Sequence, residues 1–301
     1  MRNPAGAVPT LRDLLEMDDP VAWLDSARGD EIGALADFAV TGAGGDDARL
    51  LAPCDLQAIK ASGVTFAASM VERVIEEQAA GDPDLAAGIR ARIGESIGAN
   101  LRGIVPGSDR AAEVARILKA EGLWSQYLEV GIGPDAEIFT KSQPMAAVGW
   151  GADVGLHPVS RWNNPEPEVV LAVDSRGRIK GATLGNDVNL RDVEGRSALL
   201  LGKAKDNNAS CAIGPFIRLF DETFGLDDVR RAELTLRVEG GDGYVLDGRS
   251  SMDQISRDPA DLVAQAIGRH HSNAHLARTS TCQQDNRIIH TVFLEQKGSP
   301  C

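Results

Sequence analysis

The rhythm of apolar and polar positions changes part-way along this chain. Over residues 9–40, LRDLLEM and VAWLDSARGDEIGALADF place apolar residues at helical spacing. This predicts short helices ending at the Gly-rich TGAGGDD of 41–47. AASMVERVIEEQAAG predicts a long helix, and DPDLAAGIRARIGESIG a second with Asp82 as N-cap and Pro83 in its first turn. GSDRAAEVARILKAEG predicts a third, capped by Ser108 or Asp109 and stopped by Gly122. From about residue 125 the runs become short, β-branched and punctuated by Gly, Pro and Asn: YLEVGIG, EIFTKSQP, EVVLAVD, RIKGATLG and AELTLRVEGGDGYVLDG. The last has a hairpin pattern turning at GGDG. One more helix is expected over 258–268. The chain therefore reads as a mostly helical first part and a mostly β second part, without an internal repeat.

The length of 301 residues, 43% of them hydrophobic, allows one large core and a smaller one. No apolar run reaches twenty residues, which argues against a membrane span, and the first twenty residues lack the apolar centre of a signal peptide. Cys54, Cys211, Cys282 and Cys301 are far apart with no CxxC, a pattern that fits a reducing cytoplasm and unpaired thiols. A net charge of −13 argues against nucleic acid or an anionic membrane as partner, because both call for a basic surface.

One stretch, NNPEPEVVLAVDSRGRIKGATLGNDVNLRD, carries candidate chemistry. Side chains alternate along a strand, so Glu166 and Glu168 share a face with Pro167 between them. Two like charges on a half-buried strand repel, and a divalent cation would remove that cost. Asp187 lies nineteen residues after Glu168, beyond the predicted turn DSRGR, where a return strand would bring it beside the glutamates. Three hard oxygen ligands suit Mg²⁺, Mn²⁺ or Ca²⁺, and no His or Cys lies nearby to favour Zn²⁺. A solvated acidic strand edge is the alternative reading of the same residues.

PEPEVVLAV, GNDVNLRDVEG, LLLGKAKDNNASCAIGPF and SSMDQISRDP resemble the fumarylacetoacetate hydrolase superfamily over roughly residues 50–270. The resemblance implies an α+β chain: residues 1–50 a small N-terminal region, and 51–301 a catalytic domain built as a rolled mixed β-sandwich. A helical insert would occupy about 67–125 and an atypical tail 272–301. It also implies Glu166, Glu168 and Asp187 as metal ligands, Mg²⁺ (or Mn²⁺ or Ca²⁺) as cofactor, a small keto acid as substrate, and a homodimer. The lysine of its GK segment falls on Lys203, as electrostatic stabiliser or base. Thr140, Lys141 and Gln143 match a pocket-lining segment.

The carbon–carbon hydrolases of that superfamily use a His a few residues after the aromatic of a GV-x-[YF] segment. Here GVTFAASMVERVIEEQ has Ser69 in that neighbourhood, and the five histidines lie elsewhere. The chain resembles more closely the branch that dehydrates 2-keto-3-deoxy-pentonates, with an acylpyruvate-type hydrolase, or a metal-binding remnant without turnover, as the alternatives. Glu72 and Glu76, on one face at i, i+4, are candidates for acid–base work and Arg73 for substrate binding; an ordinary solvated helix face is the competing reading. After VAQAIGRHH the sequence departs from the superfamily. There is no Gly between Gly268 and Gly298 and no alternating strand pair of the expected kind, as an altered frame or a divergent tail would give. Absent closing strands would leave an exposed sheet edge.

Overall fold

A computed structural model describes residues 2–3, 8–34, 38, 50–66, 74–75, 78–79, 83–97, 103–268 and 290–295. Helices and a mixed sheet share the chain, as the α+β expectation has it. In the first part, α1 (Leu11–Leu15) and α2 (Pro20–Ser26) are short helices with side-chain caps from Thr10 and Asp19. No helix continues past α2; Asp30–Glu31 instead pairs with Arg2–Asn3 as a two-residue ladder. The glycine-rich 41–47 lies outside the described residues.

α3 (Pro83–Ile97) and α4 (Asp109–Ala120) follow the predicted periodicity. Ser108 is the cap of α4, accepting from the Ala111 amide at 3.2 Å, and Gly122 beyond its end takes φ 68°. YLEVGIG, read as strand-like, is helical: α5 spans Gln126–Ile132. Ser125 caps it, and Leu128 and Ile132 meet on one face, where they pack with Val114 and Leu118 of α4 and with Ile89 of α3. A cap followed by i, i+4 burial outweighs the β-branched look of so short a run.

The second part is organised by a six-stranded sheet. Its strands are β1 (Ala58–Gly63), β2 (Glu137–Ser142), β3 (Pro167–Val173), β4 (Ile179–Asp187), β5 (Cys211–Leu219) and, from the tail, a strand at His290–Glu295. Between β5 and that last strand come β6 (Glu233–Glu239) and β7 (Val245–Ser251), which form the predicted hairpin in full register from Glu233–Ser251 to Glu239–Val245. The tail strand is therefore β8. Helix α6 (Leu201–Lys205) precedes β5, and α7 (Pro259–Val263) follows the hairpin.

The spatial order is β2-β1-β8-β3-β4-β5. β8 runs parallel to β1 and antiparallel to β3, and all other neighbours are antiparallel. The tail thus supplies a strand in the interior of the sheet, where sequence reading expected none. β3 reads as a continuous apolar run because both of its faces are covered. Val169, Leu171 and Val173 pack with Val229, Met252 and Leu262. Val170 faces Ile59, Ala61, Cys211 and Ile213 on the other side, and Ala172 meets Leu15 of α1. Among the described residues, no helix is long and apolar enough to cross a membrane.

Candidate metal centre

The β3–β4 hairpin brings the acidic residues together. Its turn is Asp174–Arg178, with Gly177 at φ 81°, and Asp174 accepts from the Arg176 and Arg178 amides at 2.9 Å. Antiparallel register then sets Pro167 opposite Asn186 and Glu168 opposite Gly185. The Asp187 amide donates to the Glu166 carbonyl at 2.8 Å, so Glu166 and Asp187 are directly across from each other. Glu166, Glu168 and Asp187 share this face, with carboxylate oxygens all within 4.8 Å of one another.

Two lysines stand against the cluster. Lys205, at the end of α6, contacts Glu166 Oε2 and lies 3.0 Å from Asp187 Oδ2. Its ammonium also sits 5.6 Å from the centre of the Phe139 ring, within cation–π range. Burial alone would pull Lys205 down, but the Asp187, Glu166 and Glu194 carboxylates outweigh it and hold its pKa well above the usual lysine range. Lys141, fully buried, lies 3.0 Å from Asp187 Oδ1. It donates to the Val188 carbonyl at 3.1 Å, to Ser210 Oγ at 3.2 Å and to the Lys205 carbonyl. At an effective dielectric of about 20, unit charges about 4 Å apart interact by about 4 kcal/mol. Three carboxylates against two ammoniums leave one net negative charge, and a dication would reverse its sign. The donor set is wholly hard oxygen, so these residues fit a divalent cation of the Mg²⁺ class.

Beside the carboxylates is a cavity of about 10 Å³, room for one water or one small ion. β1 and β2 form its other wall: Gly63, Val64, Glu137 and Phe139 line it together with Leu201 and Lys205. Glu137 pairs across the ladder with Gly63 and lies over it so closely that a Cβ there would be 2.1 Å from Glu137 Oε2. Val64 takes φ 55°, a strained conformation for a β-branched residue. The next carbonyl, of Thr65, accepts from both the amide and the hydroxyl of Ser256 at 2.7 Å, which pins the segment.

No family model matches the chain. Two curated relatives do. One, named probable 2-keto-3-deoxyxylonate dehydratase, from Haloferax volcanii, is 30% identical over 151 residues, 50% of each chain. The other, 2-dehydro-3-deoxy-D-arabinonate dehydratase from Saccharolobus solfataricus, is 32% identical over 131 residues, 44% of this chain and 43% of that one. The chain resembles the 2-keto-3-deoxypentonate dehydratases. The match spans about half the length of these curated relatives. Among solved structures, 2-keto-3-deoxy-D-arabinonate dehydratase complexed with magnesium and 2,5-dioxopentanoate aligns with TM-score 0.60 at 20% identity, over 93% of this chain and 77% of that one. Its apo form aligns with TM-score 0.59 over 93% and 76%. The dehydratase fold is therefore shared across nearly the whole chain.

Within this dehydratase-like fold, several expected site residues fall elsewhere. Lys203 is exposed, and Lys205 takes the place beside the carboxylates. Two residues turn a helix through about 200°, so the lysines of GKAK point to opposite sides of α6. Lys141 is buried behind Asp187 rather than lining the cavity. Thr140 points to the other face of β2, where Lys60 Nζ donates to its hydroxyl at 2.8 Å. Gln143 donates to Asp206 at 2.9 Å and is exposed. Glu72, Arg73 and Glu76 lie outside the described residues. Sequence reasoning missed Lys205, Glu137 and Asn189. Asn189 had a signal, its alternation two residues after Asp187; Glu137 had none, because its partner Gly63 is remote in the chain.

Proposed function

We propose that this chain is a divalent-metal-dependent dehydratase of 2-keto-3-deoxy sugar acids, with pentonates as the substrate class and a semialdehyde of 2-oxoglutarate as product. The observation that carries this reading is the carboxylate triad Glu166, Glu168 and Asp187, gathered within 4.8 Å beside Lys205. Sequence similarity to two named dehydratases supports the substrate class. Glu166, Glu168 and Asp187 would hold Mg²⁺, the ion named with the solved dehydratase of the same fold. Such an ion polarises a keto oxygen and makes the adjoining C3 protons more acidic.

The residues of this chain divide the remaining work. Lys205 supplies a fixed positive charge where negative charge develops on the substrate oxygen. Glu137, on the opposite wall of the cavity, is the carboxyl group placed to move a proton between C3 and the departing C4 hydroxyl, which leaves as water; the 5-hydroxy-3-ene acid so formed tautomerises, a C5 proton moving to C3 and the hydroxyl proton to C4, to the semialdehyde. Residues 51–301 act as the catalytic domain, its sheet and hairpin layered as a rolled sandwich, with 1–50 as a small N-terminal region and a homodimer as the working state.

The test is turnover of 2-keto-3-deoxypentonate in Mg²⁺, following the semialdehyde, with EDTA and Glu168→Gln as controls. Product that disappears in both controls supports the reading. A Mg²⁺-dependent rise in melting temperature without product would retain the metal site and refute the substrate class.

A further inference from the structure

Glu166 Oε1 accepts two amide hydrogen bonds, from Asn189 Nδ2 at 3.0 Å and from Asn164 Nδ2 at 3.3 Å. A carboxylate oxygen has two lone pairs, so both are engaged. The other oxygen, Oε2, faces Lys205 and the cavity side. Asn189 itself is completely buried, and its second amide hydrogen goes to Glu194 Oε2 at 2.7 Å. Glu194 is fixed in turn by Arg191 at 3.0 Å. The amide is thus stretched between two anchored carboxylates. Its oxygen, Oδ1, is buried and makes no hydrogen bond among the described residues, an arrangement that costs roughly 1–3 kcal/mol. A residue that serves packing alone would not be an asparagine held this way round.

We propose that Asn189 is a positioning residue that restricts Glu166 to a single ligating oxygen, and that this restriction makes the site prefer Mg²⁺ over Ca²⁺. The inference rests on the reading that the triad holds a divalent cation, and it adds the residue that sets the preference between cations and how it does so. Mg²⁺ takes six ligands in a tight octahedron, accepts few carboxylates and keeps several positions for water or substrate. Ca²⁺ takes six to eight oxygens and gains from carboxylates that bind through both atoms. Asp187 is restrained in the same sense, since each of its oxygens already faces an ammonium, Lys141 on one side and Lys205 on the other.

The experiment measures Mg²⁺ and Ca²⁺ affinities of the full chain by calorimetric titration, without substrate, for the wild type, Asn189→Ala and Asn164→Ala. Release of Oε1 should let Glu166 bind through both oxygens. The Ca²⁺-to-Mg²⁺ ratio of dissociation constants should then fall at least fivefold in Asn189→Ala, mostly through tighter Ca²⁺ binding. Asn164→Ala, which removes the longer of the two bonds and the less buried asparagine, should move the ratio in the same direction by less, and it serves alone if Asn189→Ala does not fold. An unchanged ratio in variants that still bind metal overturns the role of Asn189 and leaves the triad standing. A wild type that binds neither cation overturns the metal reading itself, and this inference with it.

Discussion

Lys141→Met separates two roles that the sequence could not separate. As a substrate-binding residue, Lys141 would contribute to affinity and little to stability. The structure places its ammonium 3.0 Å from Asp187 Oδ1 at a fully buried position, held by the Val188 and Lys205 carbonyls and by Ser210. Methionine keeps most of the aliphatic stem, so the loss of packing is small. The charge is what goes. Removing one partner of a buried ion pair costs about 3–5 kcal/mol, because the other charge remains without compensation. Here Asp187 keeps Lys205 at 3.0 Å from Oδ2 but stands among two further carboxylates, which places the cost near the middle of that range.

Domains are stable by about 5–15 kcal/mol, so the variant should still fold while losing a large part of its margin. With a urea dependence of about 2–3 kcal/mol per molar, the unfolding midpoint should drop by about 1–2 M. The assay is equilibrium urea unfolding at neutral pH in EDTA, followed by circular dichroism, with Ser210→Ala as a milder companion. An unfolding free energy within about 0.5 kcal/mol of wild type, the usual range for an inconsequential surface change, together with a raised KM for the keto acid, would refute the buried-counter-charge argument.

Other substitutions test the site from different sides. Lys205→Met should lower kcat by about 100-fold or more, the scale of losing one preorganised charge contact, while Lys203→Ala leaves kcat and melting temperature unchanged; equal losses in both would contradict the assignment to Lys205. Gly63→Ala should displace the flexible end of Glu137, whose Oε2 would be 2.1 Å from the new Cβ, and so reduce kcat with little change in melting temperature. Burial pushes the Cys54 thiol up to about 12 and Cys211 higher still, so iodoacetamide at pH 8 should leave both unmodified in the native protein, as peptide mapping would show.

The readable parts of this fold were those governed by local rules. Alternation along PEPEVV set Glu166 and Glu168 on one face, and a glycine-bearing turn implied the return strand that ends at Asp187. Helix caps and the β6–β7 hairpin were equally local. Lysine choice failed for a geometric reason. GKAK offers Lys203 and Lys205, and only helical phase decides between them: Leu201, which lines the cavity, is one turn from Lys205 and not from Lys203. Glu137 was illegible because its place depends on β1 and β2 pairing across more than seventy residues, at a glycine whose missing side chain makes the room. β8 was missed because glycines and an alternating strand pair were sought in the tail. A strand inside a sheet need not alternate, and IIHTVFLEQ has the β-branched and aromatic content of one.

The position of β8 has consequences for the site. Glu166, Glu168 and Asp187 belong to the β3–β4 hairpin, whereas Glu137, Phe139 and Lys141 stand on β2, beyond β1. β8 is the strand between these halves, paired with β1 from His290–Ala58 to Leu294–Ser62 and with β3 from His290–Val173 to Glu295–Glu168. Its removal would leave two unpaired ladders inside the sheet, each with backbone donors and acceptors that need partners. The metal-ligand wall and the Glu137 wall would then be joined only by side-chain contacts: Lys141 on Asp187, α6, and the apolar packing of Val170 against Ile59 and Ala61. A chain ending at residue 289 should therefore lose its sharp thermal transition, and its Mg²⁺-induced stabilisation should go with it. A truncated chain that keeps both would show that the two halves associate without β8, and that the tail is dispensable for assembling the site.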